Sequence, residues 1–158
     1  MTIRIRTAQD SDIGALAEFG LALANLHIEI DDRRFVLPEG GIHAFLEFFK
    51  GEFARPETIL LIAEEQRTPV GYAFVRMEPA SIEALCETSA WLHDLYVDPR
   101  FRGRGAGRLL VLAAIESAKQ LGSSNLMLGV STANTQARDF YERLGLRATM
   151  IEMRLDLE

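Results

Sequence analysis

The chain is predicted to be a mixed α/β domain, a sheet with helices on its faces. Three observations carry this. The segment from Thr2 to Arg6 alternates, with Ile3 and Ile5 on one side and Thr2, Arg4 and Arg6 on the other, as a half-buried strand does. Leu16, Phe19, Leu23, Leu26 and Ile30 then step by helical intervals along one face. Further on, short apolar runs bounded by turn residues alternate with helical segments, giving the order β-α-α-β-β-β-α-β-α-β.

Taken in order, Asp10, Ser11 and Asp12 offer caps for the first helix. Pro38 opens a second, in which Ile42, Phe45, Leu46, Phe49 and Phe53 share a face. Thr58 to Ala63 is an apolar run of strand length, Gln66 to Pro69 turns the chain, and Val70 to Met77 returns as the other arm of a hairpin. Pro79 to Thr88 has no period and is expected to be a loop. Trp91 to Val97 is the next strand, closed by Asp98-Pro99, and a Leu- and Ala-rich helix runs to about Leu121. Asn125 to Ser131 is read as a strand, the Asn134 segment as a short helix, and Met150 to Leu157 as a last alternating strand.

The stretch that carries chemistry is Trp91 to Leu112. A strand leads into a loop with Arg100, Arg102 and Arg104 and with Gly103, Gly105 and Gly107, and a helix follows. A glycine-rich turn at a helix start presents free N–H groups to an anion, and the helix dipole favours negative charge there. The phosphate is not that of a P-loop, because Arg108-Leu109 stands where Lys-Ser or Lys-Thr is needed. The dinucleotide fingerprint fails as well, since Arg108 occupies its third small position.

What does match is Arg-x-x-Gly-x-Gly, as Arg102, Gly105 and Gly107. A second block, Asn134 to Leu146, has the form N-x-x-A-x-x-F-Y-x-x-L-G-L. Its physics is local: Asn134 is a good N-cap, Ala137, Phe140, Tyr141 and Leu144 share one helix face, and Gly145 stops the helix. Together the two blocks resemble the cofactor segments of the GCN5-related N-acetyltransferase (GNAT) superfamily. The resemblance covers Ile59 to Leu157 well and the first third in outline.

That resemblance implies the acyl-coenzyme A N-acyltransferase fold over residues 1–158 as one domain, with a mixed, largely antiparallel sheet. It implies acetyl-coenzyme A as cosubstrate and direct attack of an amine on the thioester. The pyrophosphate would lie against backbone N–H groups of Arg102, Gly103, Arg104, Gly105, Ala106, Gly107 and Arg108. The pantetheine arm would pair like an extra strand with Leu95, Tyr96 and Val97, and would also meet Asn134 and Tyr141. The Leu95 N–H is then the candidate donor to the thioester carbonyl, and Tyr141 the candidate acid for the departing thiolate. The family often places Glu or His where His93 stands, and an imidazole changes charge near neutral pH. His93 is therefore a candidate base. Asp94 points to the opposite face unless a bulge re-aims it. A chain of waters is the third route for the proton.

Bulk properties exclude other classes. The chain has 158 residues, enough for one domain with a real core. With 17 Lys+Arg against 23 Asp+Glu its formal net charge is −6, which argues against a nucleic-acid binder. The lone Cys86 allows no internal disulfide, suits a reducing cytoplasm, and is not needed as a nucleophile; it is read as a small, partly buried thiol. Three scattered histidines give no metal spacing. The N-terminus lacks a signal-peptide core, and the longest uninterrupted apolar run, Leu109 to Ile115, is too short to span a bilayer, so no membrane partner is expected. Glu29, Asp31, Asp32, Glu78, Glu83 and Glu87 offer an acidic acceptor site for a small cationic or peptide amine, though a solvated rim is the simpler reading. A homodimer is expected from family habit and the alternating C-terminal segment. A non-catalytic acetyl-coenzyme A sensor is the alternative function.

Overall fold

In the computed structural model, which describes residues 2–157, the chain divides into two compact units, Met1–Leu128 and Gly129–Glu158. The first holds a five-stranded sheet in sequence order: β1 (Ile3–Thr7), β2 (Thr58–Glu65), β3 (Thr68–Glu78), β4 (Ser89–Val97) and β5 (Leu126–Met127). Neighbours are antiparallel except β4 and β5, which are parallel. Helices α1 (Ile13–Ile30) and α2 (Ile42–Phe53) cover one face of the sheet, and α3 (Ala106–Gln120) covers the other.

On the α1/α2 side, Leu16 and Leu23 of α1 and Phe49 of α2 pack on Leu60, Ile62, Tyr72, Phe74 and Tyr96. On the other side, the buried residues of α3 are Ala106, Leu110, Val111, Ala114, Ser117 and Ala118. Leu61, Ala63, Ala73, Val75 and Leu92 are buried on the strands, one residue out of phase with the first set. Burial of both faces explains why β2 and β3 read as continuous apolar runs.

Three strands extend beyond their apolar runs. The hairpin turn is only Gln66 and Arg67, both at positive φ (51° and 66°), the geometry of a two-residue primed turn. Glu64 and Glu65 therefore belong to β2, although buried carboxylates normally end a strand core. They are held there by cations from distant segments. The Arg6 Nε donates to Glu64 at 2.7 Å, and Arg104 Nη1 lies 3.2 Å from Glu65. Arg6 also pairs with Asp12 at 2.7 Å, tying β1 to the start of α1.

Two expected strands differ. The Asn125 to Ser131 strand shrinks to Leu126–Met127, because only those residues meet β4. Over Met150 to Leu157 no strand forms; Met150, Ile151, Met153, Leu155 and Leu157 are exposed. Cys86 is also exposed rather than partly buried, because it sits in the Pro79 to Thr88 loop, bonded through its backbone to Ser81. Helix α1 with its leading 3-10 turn is apolar and long enough to cross a membrane, yet Leu16 and Leu23 lie in the sheet core.

The second unit contains α4 (Thr135–Arg143). The Asn134 side chain caps it, accepting from the Ala137 N–H at 3.1 Å. Gly145 ends it at φ 93°, where the Gly145 and Leu146 N–H groups close back on Glu142 and Tyr141.

Candidate active site

The site grows out of β4. Along most of its length β4 pairs residue by residue with β3, but Phe74 faces Asp94 and Val75 faces Leu92, which leaves His93 as an inserted residue. This is a β-bulge, and its effect is to bring two successive side chains to one side of the sheet. The His93 ring lies 5.0 Å from Phe74 and 6.2 Å from Trp91, while Asp94 accepts from the Tyr72 hydroxyl at 2.8 Å. Phe74 and Tyr72 both belong to the α1/α2 core. His93 and Asp94 thus share the face that simple alternation divides between them.

Beyond the bulge the backbone matters more. The Asp98 N–H donates to the Val70 carbonyl, so the even-numbered residues of this stretch bond to β3. The N–H and C=O groups of Leu95 and Val97 consequently point the other way. On that side β5 reaches only Ala90 and Trp91. Among the described residues no strand pairs with Leu95 to Val97 there. Val97 C=O accepts instead from the Arg102 Nε at 3.0 Å. Gly71 makes this geometry possible: a Cβ at that position would stand 2.5 Å from the Tyr96 carbonyl oxygen.

The open edge runs into the glycine loop. Pro99–Phe101 forms a 3-10 turn capped by Asp98, whose carboxylate accepts from the Arg100 N–H. Gly103 and Gly105 take positive φ, 74° and 86°, and α3 begins at Ala106. The first bond into the helix is from Leu109 N–H to Gly105 C=O. From Gly103 to Arg108, six successive backbone N–H groups find no acceptor among the described residues. That row at a helix start is an anion nest. The arginines contribute less free charge than their number suggests. Arg100 pairs with Asp98 at 2.6 Å and Arg104 with Glu65, while Arg102 is bonded to Val97 and lies over the Tyr96 ring at 5.9 Å. Arg108 is exposed. The unbonded N–H row is the loop's main set of free donors.

Electrostatics at the bulge separate three groups. Asp94 keeps some accessible surface but is packed around densely, and this desolvation lifts its carboxyl above the usual value; the Tyr72 bond opposes the shift. Burial pushes the Tyr72 phenol far up, helped by the Asp94 charge, so it remains a donor. Among the described residues Asp94 Oδ1 has no hydrogen-bond partner. Glu78, one of the carboxylates read from sequence as an acidic acceptor site or a solvated rim, lies 2.7 Å from His93 Nε2 through Oε1. Burial raises Glu78, but its bonds to Arg76 and His93 pull it net below the usual carboxylate range. Nothing in local sequence marks this pair, which are 15 positions apart and joined only by the β3–β4 register.

Tyr141 and Asn134 lie in the second unit, on α4 and at its cap. Tyr141 is half-buried, with its ring 5.2 Å from Phe140. Among the described residues no group of three or more His, Cys, Asp or Glu is placed to hold a metal ion.

A family model described as the acetyltransferase (GNAT) family matches residues 23–146. The uncharacterized N-acetyltransferase YhfO of Bacillus subtilis is 32% identical over 143 residues, covering 90% of this chain and 89% of that protein. An uncharacterized N-acetyltransferase of Methanocaldococcus jannaschii is 38% identical over 98 residues, 62% of this chain and only 43% of its own length. Among solved structures, a tetramutant of the BH1408 protein from Bacillus halodurans superposes with a TM-score of 0.83 over 98% of this chain and 99% of that one, at 24% identity.

Proposed function

The chain belongs to the acetyltransferase (GNAT) family, and from that premise we propose that it moves an acetyl group from acetyl-coenzyme A to a primary amine by direct attack. The observation that carries this reading is the continuous backbone surface of β4 and its loop. The peptide groups of Leu95 and the Val97 N–H, which no strand pairs on that side among the described residues, lead directly to six unbonded N–H groups from Gly103 to Arg108. An extended amide chain ending in a pyrophosphate needs that sequence of partners, so the residues fit acetyl-coenzyme A. Bound there, the cosubstrate supplies the activated acyl thioester.

The chain's own residues do the rest. Leu95 and Val97 hold the pantetheine arm as an added strand, with Tyr96 between them packing into the core. The Leu95 N–H is the donor to the thioester carbonyl oxygen, where negative charge grows during attack. Backbone N–H groups from Gly103 to Arg108 hold the pyrophosphate; the Arg102 N–H, expected among them, is given to the Pro99 carbonyl instead. His93 takes the proton from the attacking ammonium. Asp94 Oδ1, on the same face and fixed by Tyr72, anchors that cation. Tyr141 is the acid for the leaving thiolate and Asn134 a contact for the pantetheine, both assigned from their motif alone.

The acceptor class we propose is a small or peptide amine that is cationic before it reacts, because the groups beside the bulge are the carboxylates Asp94 and Glu78. We place the reaction in one domain over residues 1–158, and in the cytoplasm, where the exposed Cys86 thiol is kept reduced. The test is a panel of amines followed by free thiol release. At least one cationic amine is expected to turn over, and His93→Ala should lose rate most below the pKa of that amine. Coenzyme A binding without turnover of any amine would leave a binding domain in place of an enzyme.

A further inference from the structure

We infer that Glu78 is a positioning residue for His93: it accepts the Nε2 proton, fixes the tautomer, and so leaves Nδ1 as the atom that receives the proton of the acceptor ammonium. The inference rests on the reading of His93 as the base. Its geometry is specific. Glu78 Oε1 and His93 Nε2 are 2.7 Å apart. Both side chains are mostly covered, 30% and 28% exposed, although His93 as a residue is exposed because its backbone lies at the bulge. Phe74 and Trp91 flank the imidazole at 5.0 and 6.2 Å, with ring planes tilted by 32° and 24° from it, which restrains its rotation.

The tautomer follows from the carboxylate. Glu78 Oε1 also accepts from the Arg76 Nε at 2.8 Å, and the cation keeps Glu78 ionised. An ionised carboxylate only accepts, so the proton between the pair belongs to Nε2. In the neutral ring Nδ1 then holds the lone pair. During the reaction one ammonium N–H bond breaks as an Nδ1–H bond forms, and the freed electron pair on nitrogen attacks the acyl carbon. The C–S bond breaks as the thiolate leaves and is protonated by the acid, and the second proton lost by the nitrogen restores that acid. The Nε2 proton stays where it is, and the imidazolium later gives the Nδ1 proton to solvent.

Other charges around the pair are arranged to moderate it. Arg76 Nη1 also binds Glu52 of α2 at 2.8 Å, and Glu52 accepts from the Thr58 hydroxyl at 2.8 Å, so Arg76 is anchored. Asp94 next to His93 is tied to Tyr72, and His27 of α1 lies within electrostatic reach of Asp94.

The experiment pairs imidazole nitrogen NMR with pH–rate profiles. The His93 ring is assigned among His27, His43 and His93 by its loss in His93→Ala. In wild type, long-range proton–nitrogen correlations should show the Nε2–H tautomer. Glu78→Gln removes the negative charge beside the ring and should move the rising limb of kcat/KM to lower pH and lower kcat by about tenfold, part of the usual general-base contribution. Glu78→Asp should restore part of both. An Nδ1–H tautomer in wild type overturns the assignment, as does a Glu78→Gln profile whose limb equals that of wild type. The base reading fails separately, if His93→Ala leaves the limb in place. If His93→Ala abolishes the limb and Glu78→Gln does not move it, the base stands and the role of Glu78 falls.

Discussion

Gly105→Val tests the phosphate cradle through backbone conformation alone. Gly105 sits at φ 86° immediately before α3, and a Cβ built there has no protein atom within 4 Å. Replacement therefore meets no clash with the fold. The cost is the φ itself, which a β-branched residue adopts only under strain of about 1–3 kcal/mol. In the free protein the loop can relax toward negative φ and escape that strain. Relaxation re-aims the N–H groups of Ala106 and Gly107, so binding must restore the strained form. Affinity then falls by the strain energy, about 5- to 150-fold in Kd. Calorimetric titration with coenzyme A measures this directly, with circular dichroism and thermal melting to show that the variant is folded. The buried residues of α3, such as Ala106 and Leu110, stay in place, so the melt should drop by no more than the same strain. A folded Gly105→Val protein that binds coenzyme A as wild type does would refute the cradle.

Three further outcomes are expected. Tyr141→Phe removes one oxygen and should lower kcat by about 10²-fold or more with little change in coenzyme A affinity, read by steady-state kinetics beside calorimetry. Gly71→Ala forces a Cβ against the Tyr96 carbonyl oxygen at 2.5 Å; overpacking of this kind costs about 1–3 kcal/mol in denaturant melts and should also weaken coenzyme A binding, since the same backbone carries Val97. The third concerns pH. The Arg6 bond holds Asp12 below its usual value of 3.8, against the opposing effect of burial. A carboxylate with a depressed folded pKa stabilises fully above its unfolded pKa, and that contribution is lost as pH falls through the folded value. Asp12→Asn should therefore lower stability near neutral pH and flatten its fall below pH about 4, measured by melts across the acid range.

The elements that could be read from sequence are those whose cause is local. The first helix shows its spacing, the Asn134 cap and the Gly145 stop stand at the right places, and the glycine loop announces a helix start. What was hidden depends on partners far along the chain. Glu64 and Glu65 extend β2 only because Arg6 and Arg104 neutralise them. The bulge at His93 is a property of the β3–β4 register, so alternation assigned Asp94 to the wrong side unless a bulge intervened. The Glu78 to His93 pair depends on the same register. Met150 to Leu157 shows the reverse: a clean alternation over which the described backbone forms no strand.

The open side of β4 also bears on how the protein survives without its cosubstrate. A row of unpaired peptide groups in an extended strand is a template for any other extended chain, and proteins that aggregate do so at such edges. Here the row is short and bounded. Arg102 already occupies the Val97 carbonyl, and Pro99 follows two residues later with no N–H to offer. The guanidinium is thus a stopper on the exposed edge, drawn from the glycine loop. Filling the edge with acetyl-coenzyme A should protect against self-association as well as heat, by an amount that grows with the logarithm of its concentration. A cell depleted of the cosubstrate would hold this protein in its most adhesive form.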